Sequence, residues 1–161
     1  MNAIDLLKQQ HREVEKLFAQ FEAAETEDKK EIFNQIADAL AVHATIEEKQ
    51  FYPAAKSHKT EDILLESLEE HLGVKRIIAD CLDADATDET FEAKVKVLKE
   101  QVEHHVGEEE NQLFPMVQRQ LGSRKLDALG EAMEAEAADL LVEGAPRLAV
   151  PSETAEAHPL E

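Results

Sequence analysis

The 161-residue sequence is poor in the materials of loops, sheets and covalent staples. Its one cysteine, Cys81, cannot form an internal disulfide, and with so little cysteine the chain reads as cytoplasmic. Five glycines and five prolines are too little turn material for many short strands but enough for a few long helices. Tryptophan is absent and aromatics make up 4% of the residues, so a core must be mostly aliphatic. Positive charge is scarce: 17 Lys and Arg stand against 36 Asp and Glu, a net charge of −19. That balance argues against nucleic acid or an anionic membrane as the main partner, since both demand a basic surface. No apolar run approaches the roughly 18 residues a transmembrane helix needs. The stretch from Met1 to Arg12 lacks the apolar segment of a secretory signal. What is plentiful is hydrophobic content, 43%, which suits one domain, and histidine, seven residues in a small acidic chain.

Apolar residues recur at spacings of three and four through most of the chain, the period of an amphipathic helix. The first helix is expected over 3–24, with Ile4, Leu7, Val14, Phe18 and Phe21 on one stripe and Asn2 as N-cap. The second is expected over 28–57 on Ile32, Phe33, Ile36, Leu40, Ile46 and Phe51, with Pro53 kinking it or ending it early. Thr60 is placed to cap a third helix, with Glu61 and Asp62 in its first turn and Leu64, Leu68, Val74 and Ile78 on its apolar face. The fourth is expected over 88–121 on Phe91, Val95, Leu98, Val102, Leu113 and Met116, stopped at Gly122. Four such helices with short links predict an all-α fold, an up-down-up-down four-helix bundle over 1–122. A further C-terminal helix is expected over 123–143, packed across one end of the bundle or serving a partner. The Pro-rich, aperiodic residues 144–161 predict a flexible acidic tail.

The chain contains an internal repeat. His43-Ala-Thr-Ile-Glu47-Glu48-Lys-Gln-Phe51-Tyr52-Pro53 aligns without gaps to His105-Val-Gly-Glu-Glu109-Glu110-Asn-Gln-Leu113-Phe114-Pro115. Upstream, His11-Arg-Glu-Val14 matches His71-Leu-Gly-Val74. One helical hairpin is thus duplicated, and a site on its pseudo-twofold axis would receive the same side chains twice. In the fourth helix the apolar seam runs Phe91, Val95, Leu98, Val102, His105, Glu109, Gln112, Met116, in alternating steps of four and three. In the second it runs Ile36, Leu40, His43, Glu47. His11 lies between Leu7 and Val14, and His71 between Leu68 and Val74. Four histidines and two glutamates therefore face the bundle axis.

An unpaired buried carboxylate costs several kcal/mol, a large fraction of a small domain's stability. No Lys or Arg stands in these seams to neutralise Glu47 and Glu109, whereas a metal ion would do so directly. A His at i and a Glu at i+4 share a helix face and can reach one small volume. Four imidazole nitrogens and two carboxylates that can bridge suit two metals rather than one. Iron or manganese would then keep exchangeable positions, as reactive sites do. Mixed nitrogen and oxygen ligation suits iron, with zinc and manganese also open on donor type. A lone seam histidine is usually just a packed one; six ligand-type residues in register on four helices are not. His104 with Glu108 repeats the spacing on a largely polar face and reads as a decoy. Glu48, Glu70 and Glu110 neighbour seam ligands about 100° off phase and are expected at the surface, with a role behind a ligand or in gating as the lesser alternative. Tyr52 is expected to serve packing, with a hydroxyl that could hydrogen-bond near a site, and Cys81 to be buried rather than reactive.

The pattern His11, His43-xxx-Glu47, His71, His105-xxx-Glu109, followed by Phe51-Tyr52-Pro53 and Leu113-Phe114-Pro115, resembles the hemerythrin-like HHE cation-binding proteins over about residues 3–121. The resemblance implies a non-haem di-iron centre bridged by two carboxylates and an oxo or hydroxo group. It implies His11, His43, His71 and His105 as nitrogen ligands and Glu47 and Glu109 as bridges. The oxygen-carrying hemerythrins add a histidine four residues after the third-helix ligand, where this chain has Lys75, and end with HxxxxD where it has HxxxE. The sequence is therefore similar to the bacterial four-His, two-Glu branch, with a more open or water-filled site. That implies binding or sensing of a small diatomic or peroxide ligand (O2, NO, peroxide) or of iron. The other implied activity is enzymatic, a catalase-like peroxide-consuming or NO-reducing one. Either leaves room for a redox partner. These 161 residues hold no fused output domain, which tilts the expectation toward stress defence or storage.

Overall fold

A computed structural model describes Met1–Glu161. Helix α1, Ala3–Ala23, starts where Asn2 Oδ1 accepts the Asp5 backbone N–H at 2.9 Å, the expected cap. It buries Ile4, Leu7, His11, Val14, Phe18 and Phe21, the stripe its sequence period marks. Helix α2, Thr26–Ile46, follows after a two-residue link and buries Phe33, Ile36, Leu40 and His43. Helix α3 is Glu61–Asp83 and helix α4 is Phe91–Glu108. Thr60 stands at the start of α3 but caps no helical N–H. Its hydroxyl donates to the Ala55 carbonyl at 2.7 Å and accepts from Ser57 N–H at 2.9 Å, tying down the preceding turn instead. The start of α4 is delayed past Asp88 because that carboxylate accepts both the backbone N–H (2.8 Å) and the hydroxyl (2.7 Å) of Thr90. The result is all-α, with no helix long and apolar enough to cross a membrane.

Two wide π turns, Glu47–Phe51 and Glu109–Leu113, continue α2 and α4 at equivalent positions of the repeat. Tyr52 N–H bonds Glu47 C=O and Phe114 N–H bonds Glu109 C=O, each five residues back. Pro53 and Pro115 follow directly. A proline has no N–H to give the carbonyl four residues earlier, and its ring crowds that carbonyl; a wider turn just before it relieves both demands. So Pro53 does not simply kink α2: it follows a widened turn and then a short helical segment, Tyr52–Ala55. The extra residue also shifts the phase. The seam expected to continue through Gln112 and Met116 continues instead through Leu113 and Val117, which are buried, while Gln112 is exposed and Met116 only half-buried.

Helix α5, Phe114–Val142, leaves the second π turn and breaks at Gly122, whose φ of 77° suits glycine alone. Its second arm folds back along the N-terminus. Gly130 is buried there, and a Cβ at that position would stand 2.2 Å from the Met1 carbonyl oxygen. Leu126 and Met133 of this arm join Ile4, Leu7, Phe51, Tyr52, Leu64, Leu68 and Phe114 in one apolar cluster. A second cluster, built on Val14, Phe18, Ile36, Leu40, Ile78, Leu98 and Val102, fills the other end of the bundle. Between the two lies a polar layer at the level of residues 11, 43, 71 and 105.

The C-terminal residues differ from the flexible tail that their prolines predict. Pro146–Glu153 form a 3-10 helix laid across α2 and α3, and Val150 is buried in the second apolar cluster. One valine at the right place, with polar contacts on either side, anchors a segment that has no periodicity to announce it.

Candidate metal centre

All six seam residues meet in the polar layer. His11, His43, His71, His105, Glu47 and Glu109 are buried, Glu47 completely. Their ligand atoms fall into two groups, each with its atoms within 4.8 Å of one another: His11, His43, Glu47 and Glu109, and His71, His105 and Glu47. Glu47 belongs to both. Its Oε1 is 3.2 Å from His43 Nε2 and 3.1 Å from His71 Nε2. Glu109 also reaches both sides, with Oε1 3.1 Å from His11 Nε2 and Oε2 3.4 Å from His105 Nε2.

Every imidazole is held from behind through Nδ1. His11 Nδ1–H donates to Glu110 at 2.6 Å, His43 to the Gln10 amide oxygen at 2.7 Å, His71 to Glu48 at 2.8 Å and His105 to Glu70 at 2.8 Å. An acceptor at Nδ1 keeps the proton there and turns the Nε2 lone pair inward, the tautomer a metal needs. This corrects the expectation that Glu48, Glu70 and Glu110 are surface charges. Glu48 is buried, and Lys75 Nζ lies 3.0 Å from it; Glu110 also takes the Arg12 guanidinium. A position 100° off the seam of an isolated helix faces the flank of the next helix in a bundle. Gln10 is a partner that the sequence pattern did not single out. Its signal was there: it precedes His11 as Glu70 precedes His71, just as Glu48 and Glu110 follow the two seam glutamates.

Tyr52 does more than pack. Fully buried, its hydroxyl donates to Glu109 Oε2 at 2.8 Å and lies 3.2 Å from His71 Nε2. Burial, then the charges of Glu109 and Glu47, push this hydroxyl well above its ordinary range, so it stays protonated. For His105, burial works to lower the pKa, but the charge and hydrogen bond of Glu109 overcome it and hold the ring well above its ordinary value. His11 and His71 are raised in the same way, against burial, by Glu109 and by Glu47 with Glu48 respectively. Burial would raise Glu47, yet the His43 charge and hydrogen bonds within the layer keep it well below the carboxylate range. Protons on the imidazoles are thus how the protein alone balances its two central carboxylates.

That balance leaves gaps. His43 Nε2 and Glu47 Oε2 are buried without any hydrogen-bond partner. Both are good donors to a cation, and such orphaned atoms are rare unless something binds them. The donor set therefore fits a metal. His104 is exposed and 2.7 Å from Glu108, with Glu70 3.4 Å away. This third grouping lies at the surface, away from the buried layer. Lys75, at the position where the oxygen carriers have a ligand, is buried but sends its ammonium outward to Glu48 and Glu153. Burial pushes the Cys81 thiol up to about 11, consistent with an inert core residue.

Comparison with known proteins agrees with this geometry. The model of the hemerythrin HHE cation binding domain matches residues 2–117. A DNA nickase from Nostoc sp. is 29% identical over 128 residues, covering 79% of this chain and 36% of that protein. The chain thus spans little more than a third of that relative's length. The crystal structure of a hemerythrin HHE cation binding domain-containing protein from Mycobacterium kansasii has a TM-score of 0.76 and 25% identity, over 95% of this chain and 91% of that one. With four histidines and two glutamates gathered in one buried layer and the family model spanning the whole bundle, this chain belongs to the hemerythrin HHE cation-binding family.

Proposed function

We propose that His11, His43, His71 and His105, with Glu47 and Glu109 as shared carboxylates, hold a pair of iron ions, and that this centre binds a small ligand, O2, NO or peroxide. The observation that carries the reading is the pair of buried His/Glu groups with Glu47 in common, two of whose atoms, His43 Nε2 and Glu47 Oε2, are orphaned. One ion per group satisfies both orphans and replaces the imidazole protons as the counter-charge. Four imidazole nitrogens and the four oxygens of two shared carboxylates give at most four protein donors per ion, which leaves positions free on metals that take about five or six. A bound iron pair would supply Lewis acidity and electrons. The chain's own residues do the rest: the Nδ1 partners fix each imidazole, Tyr52 holds Glu109 by a hydrogen bond, and the two apolar clusters keep water from both ends of the layer.

The test is metal analysis and an absorption spectrum of protein purified without added metal. About two irons per chain with near-ultraviolet charge-transfer bands support the reading; a chain that takes up no iron on reconstitution overturns it. A second reading, peroxide disproportionation to water and O2, is favoured by one observation, the Tyr52 hydroxyl beside Glu109 and His71, a protonated group in the layer. Peroxide decay on iron-loaded protein decides between them: turnover no faster than free iron removes the enzyme.

A further inference from the structure

Over the four imidazoles lies a cavity of about 40 Å3. Its walls are mostly aliphatic, with Val14, Leu40, Ile78 and Val102 among them, and the four seam histidines line it too. The remaining side is closed by the C-terminal segment, which contributes Val150 and Glu153. We propose that Pro146–Glu153 is a strap forming the outer wall and gate of a ligand chamber, and that this chamber selects small neutral molecules. The proposal rests on the reading above that the imidazoles hold metal, because the chamber opens onto them.

Size and polarity set the class of ligand. One water-sized occupant needs about 10–15 Å3 on this measure, so the chamber of about 40 Å3 takes about three or four non-hydrogen atoms at most. An ion entering it would shed its water against aliphatic side chains that return no hydrogen bond, whereas NO, O2 and hydrogen peroxide carry no charge to desolvate. Lys75 contributes its stem to the lining, while its ammonium is engaged by Glu48 at 3.0 Å and by Glu153 at 3.1 Å.

The strap is attached lightly and on both sides of the opening. On α2, Asp38 accepts the Arg147 backbone N–H and guanidinium, each at 3.0 Å. On α3, Lys75 meets Glu153, and Arg76 donates to the Thr154 carbonyl at 3.0 Å and the Ala155 carbonyl at 3.3 Å. Val150 is its only buried side chain, and Leu148 is exposed. Gly144, with φ 142°, turns the chain into it. Partly exposed ion pairs and one valine give a segment that opens far more readily than the helices beneath it.

Two measurements on the full chain test this. Xenon, an apolar probe of the right size, should shift the methyl resonances of Val14, Val102 and Val150 at a single site in wild-type protein; no such shift overturns the chamber. In the iron-loaded ferrous protein, stopped-flow association of NO should become about ten-fold faster in Arg147→Ala/Glu153→Gln, because access scales with the fraction of open strap. Metal content and helicity should not change. Arg76→Ala, at an exposed position, should accelerate NO in the same direction by a smaller factor, and it serves if the double variant does not fold. Equal NO rates in wild type and variants overturn the gate. Wild-type protein that binds xenon but no iron upholds the chamber and overturns the metal reading alone.

Discussion

The first hairpin offers His11 and His43 to the polar layer, the second His71 and His105, and the sequence repeat relates each pair to the other. The relation extends outward: His11 and His71 rest on Glu110 and Glu48, the residues after the seam glutamates of the opposite hairpin. His43 and His105 rest on Gln10 and Glu70, the residues before the first histidine of their own hairpin. Here the symmetry breaks. A neutral amide backs His43, where a carboxylate backs His105. It breaks again at the aromatic residues after the π turns. Phe114 stacks on His11 with 5.9 Å between ring centroids, and Tyr52 stacks on His71 at 5.4 Å, but only Tyr52 adds a hydroxyl, which it gives to Glu109. Both imidazoles of the second hairpin therefore rest on carboxylates and receive the hydroxyl of Tyr52 from the first hairpin, while His43 of the first has the more neutral backing. Duplication supplies the six side chains of the layer, and small departures from it make the two groups unequal.

The largest expected effect comes from removing what the halves share. Glu47→Ala should empty both positions, seen as metal content near zero, because Glu47 is common to the two groups. Loss of only one ion would separate the halves more than the geometry allows. The next effect exchanges their difference. Glu70→Gln should weaken the His71/His105 position by about 10–100-fold and Gln10→Glu should strengthen the His11/His43 position, since partners behind a ligating histidine act at about that scale. Competitive titration with a chelator reads both, and identical affinities in wild type and variants would erase the distinction.

The pH dependence should change sign on metal binding. In metal-free protein, the raised pKa values of His11, His71 and His105 add stability that is complete below the unfolded value near 6.5 and is lost as pH rises through the raised folded values. Depressed Glu47 adds stability present above its unfolded value near 4.5, lost as pH falls through the lower folded one. Metal-loaded protein needs those imidazoles neutral, so protons compete with metal and stability should fall as pH drops below neutrality. Thermal melts of the two forms between pH 6 and 8 should thus slope in opposite directions; parallel slopes would contradict the charge balance described. Tyr52→Phe makes the first hairpin like the second, which has Phe114 at the equivalent position, and should cost about 1–2 kcal/mol in denaturant unfolding, the price of an unanswered Glu109 oxygen. Glu108→Ala should leave metal content unchanged, because the exposed His104 and half-buried Glu108 stand outside the buried layer.

Much of this was legible in the sequence because helical periodicity and the repeat both report on the backbone. The four long helices, the cap at Asn2, the break at Gly122 and the inward phase of all six seam residues follow from spacings of three and four. What escaped has physical causes. A period of 3.6 residues cannot foresee a π turn, so the seam past Glu109 moved from Gln112 and Met116 to Leu113 and Val117. Burial of Glu48 depends on the neighbouring helix, which a single helical wheel does not contain. The hydroxyl of Tyr52 finds Glu109 across the bundle, 57 residues away in sequence. The strap is held by Val150 and by pairs such as Arg147 with Asp38, contacts made between distant residues and invisible to any local pattern.

The most direct measurement of the central claim is stepwise anaerobic titration of metal-free protein with Fe(II), followed by calorimetry. Saturation is expected at about two ions per chain in two resolvable steps, the tighter one weakened by Glu70→Gln. Saturation at a single ion, or binding that survives Glu47→Ala, would contradict it.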